Sequence, residues 1–217
     1  MNPDSWPAPA KLNLFLHILG RRQDGYHNLQ TVFQFLQFGD ELEIESSGDG
    51  RIHIQTDYAI EQQDDLVLRA AMLLKKTTHT ALGANITVKK KIPIGGGLGG
   101  GSSDAATTLV ALNQLWGCGL SLQSLAEIGL QLGADVPVFI AGHSAWAEGI
   151  GEKLESVTPT EDWYLVIYPG CPVSTATVFK QPDLTRNTSP ITIRDFLAGA
   201  GHNDCEKTVF RLYPEVA

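Results

Sequence analysis

From Lys11 to Ile18 the chain alternates Lys11, Asn13, Phe15 and His17 with Leu12, Leu14, Leu16 and Ile18. A period of two predicts a strand, with Lys11 and Asn13 on one face and the leucines in the core. After a turn at Asp24-Gly25, TVFQFLQFGDELEIE and RIHIQT read as further strands. From Asp64 the spacing of Leu66, Ala70, Leu73 and Leu74 becomes helical, with acids at the start and lysines near the end, as the helix dipole favours. ANITVKKKIPI predicts a strand. DAATTLVALNQLW, with Ala105, Leu109 and Leu112 on one stripe, predicts a helix for which Ser102 and Ser103 are N-cap candidates. SLQSLAEIGLQLG is a further helix closed by Gly133, and HSAWAEGIGEKLESV a hairpin. A break at VTPTED before the predicted strand WYLVIYPG puts a domain boundary near residue 155. Short helical pieces follow in TATVFKQ, IRDFLAG and CEKTVFRLYPEVA.

Composition narrows the class of partner. The chain has 217 residues, 43% of them hydrophobic, and a formal net charge of −8. That acidic balance argues against nucleic acid or an anionic membrane as the main partner. No apolar run reaches bilayer length and the N-terminus has no signal-peptide pattern, so a cytoplasmic protein is expected. The three cysteines are odd in number and widely spaced, which suits reduced thiols rather than a metal site.

Candidate chemistry sits in IPIGGGLGGGSSDAA, where six of the seven positions from Gly95 to Gly101 are glycine. Glycines let backbone N–H groups approach a ligand with no Cβ in the way. Placed before a helix, those groups join the unpaired donors of its first turn in a cradle for phosphate. A tight turn in a packed α/β domain is the other reading. A P-loop is excluded, because Gly101 is followed by Ser102-Ser103 with no lysine. The spacing Gly95, Gly97, Gly100 fits a dinucleotide fingerprint, but in so glycine-dense a run the match is nearly automatic.

PIGGGLGGGSSDAA resembles the phosphate loop of the galactokinase–homoserine kinase–mevalonate kinase–phosphomevalonate kinase (GHMP) superfamily. PAKLNLFLHILGRRQDGYHNLQTVFQ, LGADVPVF and NDCE, in that order along the chain, are similar to the branch that phosphorylates 4-diphosphocytidyl-2-C-methyl-D-erythritol. The resemblance implies an α+β fold: a ribosomal-S5-domain-2-like, ATP-binding domain over 1–154 and a partial, ferredoxin-like domain over 155–217, with substrate in the cleft between them. It implies ATP and Mg²⁺ as cofactors, a small-molecule substrate, and no nucleic acid or membrane partner; oligomeric state is open.

Residue by residue, the resemblance assigns Pro93, Ile94, Gly95, Gly96, Gly97, Leu98, Gly99, Gly100, Gly101, Ser102 and Ser103 to the nucleotide phosphates. It makes Asp135 the catalytic aspartate that orients the substrate hydroxyl and accepts its proton. Lys11 becomes the active-site lysine that stabilises the γ-phosphoryl group. The same residues also fit a helix N-cap and a solvated strand lysine. Asn13 would bond the substrate, Tyr26, His27 and Phe179 would hold the cytosine, and Thr175 would add a polar contact. Asn203 and Asp204 read as a helix cap. At Asp65 the family has asparagine beside the adenine pocket, so Asp65 stays outside the site.

After Asn203 nothing resembles the glycine motif that the family carries near its C-terminus. A shortened active kinase and a non-catalytic nucleotide-binding module are both compatible with that departure. A kinase for another small alcohol is disfavoured by Tyr26, His27 and Phe179, since such a substrate has no base to stack.

Overall fold

The computed structural model describes residues 5–56, 58, 61 and 63–217, so the first four residues of the expected N-terminal domain lie outside the described residues. The chain forms two compact units, each assembled from non-contiguous segments. Two long strands, β1 (Ser5–Arg21) and β2 (His27–Ser47), contribute to both.

The first unit comprises residues up to Ala10, Leu36–Ile92 and Gly99–Gly142. Strand β3 (Ile52–Thr56) runs parallel to β4 (Gly83–Lys89), and helix α1 (Leu66–Thr78) makes the crossover that parallel strands require. β4 pairs antiparallel with the second half of β2, Glu41 opposite Lys89 through to Ser47 opposite Gly83. Leu42 and Ile44 face inward and Glu41, Glu43 and Glu45 outward, the alternation expected of a half-covered sheet. Helices α2 (Gly100–Leu115), α3 (Leu122–Leu130) and α4 (Val136–Ala141) complete the unit. Leu74, Leu109 and Leu112 are wholly buried. α3 stops at Leu130 with Gln131 as its C-cap, so Gly133 lies in the following turn rather than closing the helix.

The second unit comprises Lys11–Phe35, Pro93–Leu98 and His143–Ala217. The first half of β2 pairs antiparallel with β5 (Ala145–Gly149), and β5 with β6 (Lys153–Ser156), which is the expected hairpin. Short helices α5 (Thr175–Phe179), α6 (Ile193–Leu197) and α7 (Glu206–Leu212) lie within the three segments read as helical.

β1 reverses the expected polarity. Lys11, Phe15 and His17 are buried, while Leu12, Leu14 and Leu16 are only half-buried. Both faces of the strand are covered: Phe15 stacks on Trp146 and Phe196 with ring centroids 5.3 and 5.5 Å apart. On the other face Leu16 packs against the cluster of Ile18, Val178, Leu184 and Cys205. WYLVIYPG is not a strand; it makes no ladder among the described residues, and Trp163 is 103% exposed. Its apolar, β-branched composition suits a strand, but a strand also needs a neighbour to bond. Among the described residues no helix is long and apolar enough to cross a membrane.

Asp65 is the N-cap of α1; its Oδ1 accepts from the amides of Val67 and Leu68 at 2.8 and 3.2 Å. This favours the reading of an acid at a helix start. Asp65→Ala is expected to lower stability by about 1 kcal/mol and Asp65→Asn to leave it nearly unchanged, as read by urea unfolding, because asparagine keeps the capping oxygen.

Candidate active site

In the first unit, α2 starts at Gly100 behind Gly99, whose φ of 74° is left-handed and costs glycine nothing. The first bond of the helix runs from the Ser103 amide to the Gly99 carbonyl at 2.9 Å. The amides of Gly100, Gly101 and Ser102 therefore have no intrahelical acceptor and stand at the positive end of the helix dipole. Ser102 and Ser103, expected as caps, lie inside the first turn, because Gly99 opens the helix upstream of them and no side chain caps it. Ser103 Oγ is fully buried with no hydrogen-bond partner among the described residues. Ser102 Oγ lies 3.7 Å from where a Cβ on Gly133 would stand, so the first turn of α2 neighbours the turn that carries Asp135.

Asp135 holds the N-cap position of α4, but its side chain makes no capping bond. Its carboxylate is half-buried, and the structural duty that its position suggests is one it does not perform.

In the second unit, Pro93–Leu98 is pinned at several points. Gly95 C=O accepts from the Val173 amide at 3.0 Å, and Leu98 C=O from the Lys11 amide at 2.9 Å. Between these ties Gly97, at φ 75°, has no atom within 4 Å of where a side chain would project. The segment is thus fixed at its edges and bare in its middle. Lys11 Nζ donates to Asn13 Oδ1 at 2.5 Å, and Asn13 Nδ2 to Thr31 Oγ1 at 2.9 Å. The ammonium also lies 5.3 Å from the centre of the Phe33 ring. Both polar ends of Asn13 are engaged, and its amide is oriented so that the oxygen meets the cation.

Tyr26 follows the Asp24-Gly25 turn and is 59% exposed. Its neighbour His27 is buried, with its ring 5.1 Å from that of Phe179. Arg186 Nε donates to His27 Nε2 at 3.0 Å, while its other nitrogens hold the carbonyls of Phe179, Gln181 and Leu184. Burial, then the Arg186 and Arg21 charges, lowers the His27 pKa. Thr175 is the first residue of α5 and exposed. Arg186 carries no sequence signal of its own: it is a lone cation in a Thr- and Pro-rich loop, and its partner lies 159 positions away.

NDCE divides its roles. Asn203 Oδ1 accepts from the Cys205 amide at 2.9 Å, a bond within the turn before α7; Cys205 holds the cap position and no side chain caps the helix, so the expected cap is not formed. Asp204 does not cap; Oδ2 accepts from the Ile18 amide at 2.7 Å and Oδ1 pairs with His202 Nε2 at 2.9 Å. His202 Nδ1 in turn meets His17 Nε2 at 3.2 Å. Among the described residues no group of three or more His, Cys, Asp or Glu is placed to hold a metal ion.

Residues 65–143 match the GHMP kinases N terminal domain, and the fold is the GHMP kinase fold. The chain is 58% identical over 213 residues to the 4-diphosphocytidyl-2-C-methyl-D-erythritol kinase of Nitrosococcus oceani, covering 98% of this chain and 76% of the relative. It is 56% identical to the enzyme of that name from Methylococcus capsulatus, covering 97% and 72%. A crystal structure of 4-(cytidine 5'-diphospho)-2C-methyl-D-erythritol kinase superposes with TM-score 0.77 at 35% identity, covering 97% of this chain and 79% of that one. The chain belongs to the 4-diphosphocytidyl-2-C-methyl-D-erythritol kinase family.

Arg186→Met is expected to raise the titration midpoint of His27, followed by NMR of its ring protons. An unchanged midpoint would mean that burial and Arg21 depress it without Arg186.

Proposed function

We propose that the chain transfers the γ-phosphoryl group of ATP to the 2-hydroxyl of 4-diphosphocytidyl-2-C-methyl-D-erythritol, a step of non-mevalonate isoprenoid biosynthesis. The observation that carries this reading is the 58% identity, over 98% of the chain, to a relative bearing that substrate's name. The unpaired amides at the start of α2, the open space around Gly97 and the orphan hydroxyl of Ser103 all suit a polyphosphate.

Phosphoryl transfer needs in-line positioning and neutralisation of spread charge. Pro93 to Ser103 hold the phosphates, chiefly by backbone donors. Lys11, steadied by Asn13, stabilises charge on the transferring group; Asn13 therefore acts first on the lysine. Asp135 orients the substrate hydroxyl and takes its proton as the new O–P bond forms and the bond from the γ-phosphorus to the ADP oxygen breaks. Tyr26 offers its exposed ring face to the cytosine. His27, with Nε2 taken by Arg186, meets the base through Nδ1, with Phe179 behind it and Thr175 nearby. Mg²⁺, when bound with the nucleotide, would supply charge neutralisation on the phosphates, and no residue is assigned to it.

ADP release with the cytidylylated substrate, compared with homoserine and mevalonate, tests the assignment: equal rates would end it. Lys11→Ala and Asp135→Asn are each expected to lower turnover by about 10²–10⁴-fold. Near-normal turnover in either variant would remove that residue from the mechanism.

A further inference from the structure

Beneath the start of α2 the first unit buries an ion cluster that the phosphoryl transfer above does not use. Lys90 Nζ lies 2.5 Å from Asp40 Oδ2 and 2.8 Å from Asp104 Oδ2, and both carboxylates are buried. The two acids are not equivalent. Asp40 also accepts, through Oδ1, from the amides of Lys91 and Ile92 at 2.5 and 2.8 Å. Asp104 has Lys90 as its donor, and its Oδ1 is buried with no hydrogen-bond partner among the described residues. Two carboxylates sharing one ammonium leave an excess negative charge out of water, which is costly unless a proton removes it. The acid with fewer donors is where that proton goes.

Two further groups face the cluster. The Tyr58 ring lies 6.0 Å from Lys90 Nζ, and its hydroxyl donates to Asp65 at 3.3 Å. Asp65 is already held by the amides that it caps. The cluster also touches the phosphate cradle. A Cβ on Gly100 would stand 3.1 Å from Lys90 Nζ, and Asp104 directly follows Ser103, whose amide makes the first bond of α2.

We propose that Asp104 is a proton-linked positioning residue of the phosphate cradle. Through Lys90 and Asp40 it ties the first turns of α2 to the backbone leading into the loop, and it takes up a proton when an anionic polyphosphate settles on that turn. This rests on the nucleotide reading above. Burial, opposed by Lys90 and reinforced by the neighbouring Asp40 carboxylate, pushes the Asp104 carboxyl up to about 7, so near-neutral solution holds it partly protonated. Phosphate charge nearby disfavours the ionised form further, so the pKa is higher in the complex than in the free chain. A group that gains proton affinity on binding favours the complex at low pH. Affinity is then lost as pH climbs from the free value towards the bound one, by at most about tenfold per pH unit for one proton.

Calorimetric titration of ATP into the full chain, in buffers of different ionisation heat and from acid to alkaline of neutrality, counts the protons taken up. Asp104→Asn keeps an acceptor for Lys90 but cannot titrate, and comparison with it cancels the protonation of ATP itself. The unsubstituted chain is expected to take up more protons near neutrality than the variant and to lose affinity more steeply with rising pH. Equal counts and parallel curves overturn the proposal. Absence of any ATP binding to the unsubstituted chain overturns the nucleotide reading and this proposal with it. Should the variant not fold, carboxyl carbon NMR of the unsubstituted chain decides. The Asp104 midpoint is expected to rise on adding ATP, and an unmoved midpoint overturns the proposal.

Discussion

Gly99 holds φ at 74°, and from that single backbone choice the first turn of α2 acquires its exposed donors. A side chain there would strain the turn, and a helix begun earlier would take the same amides into its own ladder. The neighbouring ties make sense around this constraint. Asp40 holds the amides of Lys91 and Ile92 before the loop, and the Lys11 amide holds Leu98 within it. A run of glycines is intrinsically mobile. Here its mobility is confined by bonds from residues distant in sequence, which is the preorganisation that electrostatic catalysis demands.

The cations of the two units are treated differently. Lys11 meets a neutral amide and the face of an aromatic ring. Lys90 is held by two carboxylates. The second arrangement spends its field inside the protein, on shape, so the same residue type is set apart by its neighbours.

Much of this was legible in the chain itself. The period of two in β1, the helical stripe of α1 and the hairpin of β5 and β6 are local signals, and local geometry realises them. The side of β1 that is buried was not legible, because alternation identifies two faces without saying what covers each. Phe15 meets Trp146 and Phe196, residues far along the chain, and that decides the matter. WYLVIYPG fails as a strand for the complementary reason: its composition is local and its pairing would not be. At the site, the glycine loop, Lys11 and Asp135 are motif-borne, whereas Arg186 and the Asp40–Lys90–Asp104 cluster arise only when segments meet. Ser102 and Ser103 misled as caps because a serine before a helical stripe is a good cap unless a left-handed glycine has already begun the helix.

The bonds between β1 and residues 202–204 carry a consequence for the order in which the molecule is made. Leu16 bridges Asn203 in parallel, and Asp204 receives the Ile18 amide across a separation of 186 positions. The first unit has all of its residues once Gly142 has been added, and it can consolidate on the ribosome. The second cannot close around β1 until Asp204 has emerged, so the strand that bears Lys11 waits, half-dressed, until then. A slow stretch of codons shortly before that point would lengthen the wait and leave the nascent chain to the chaperones.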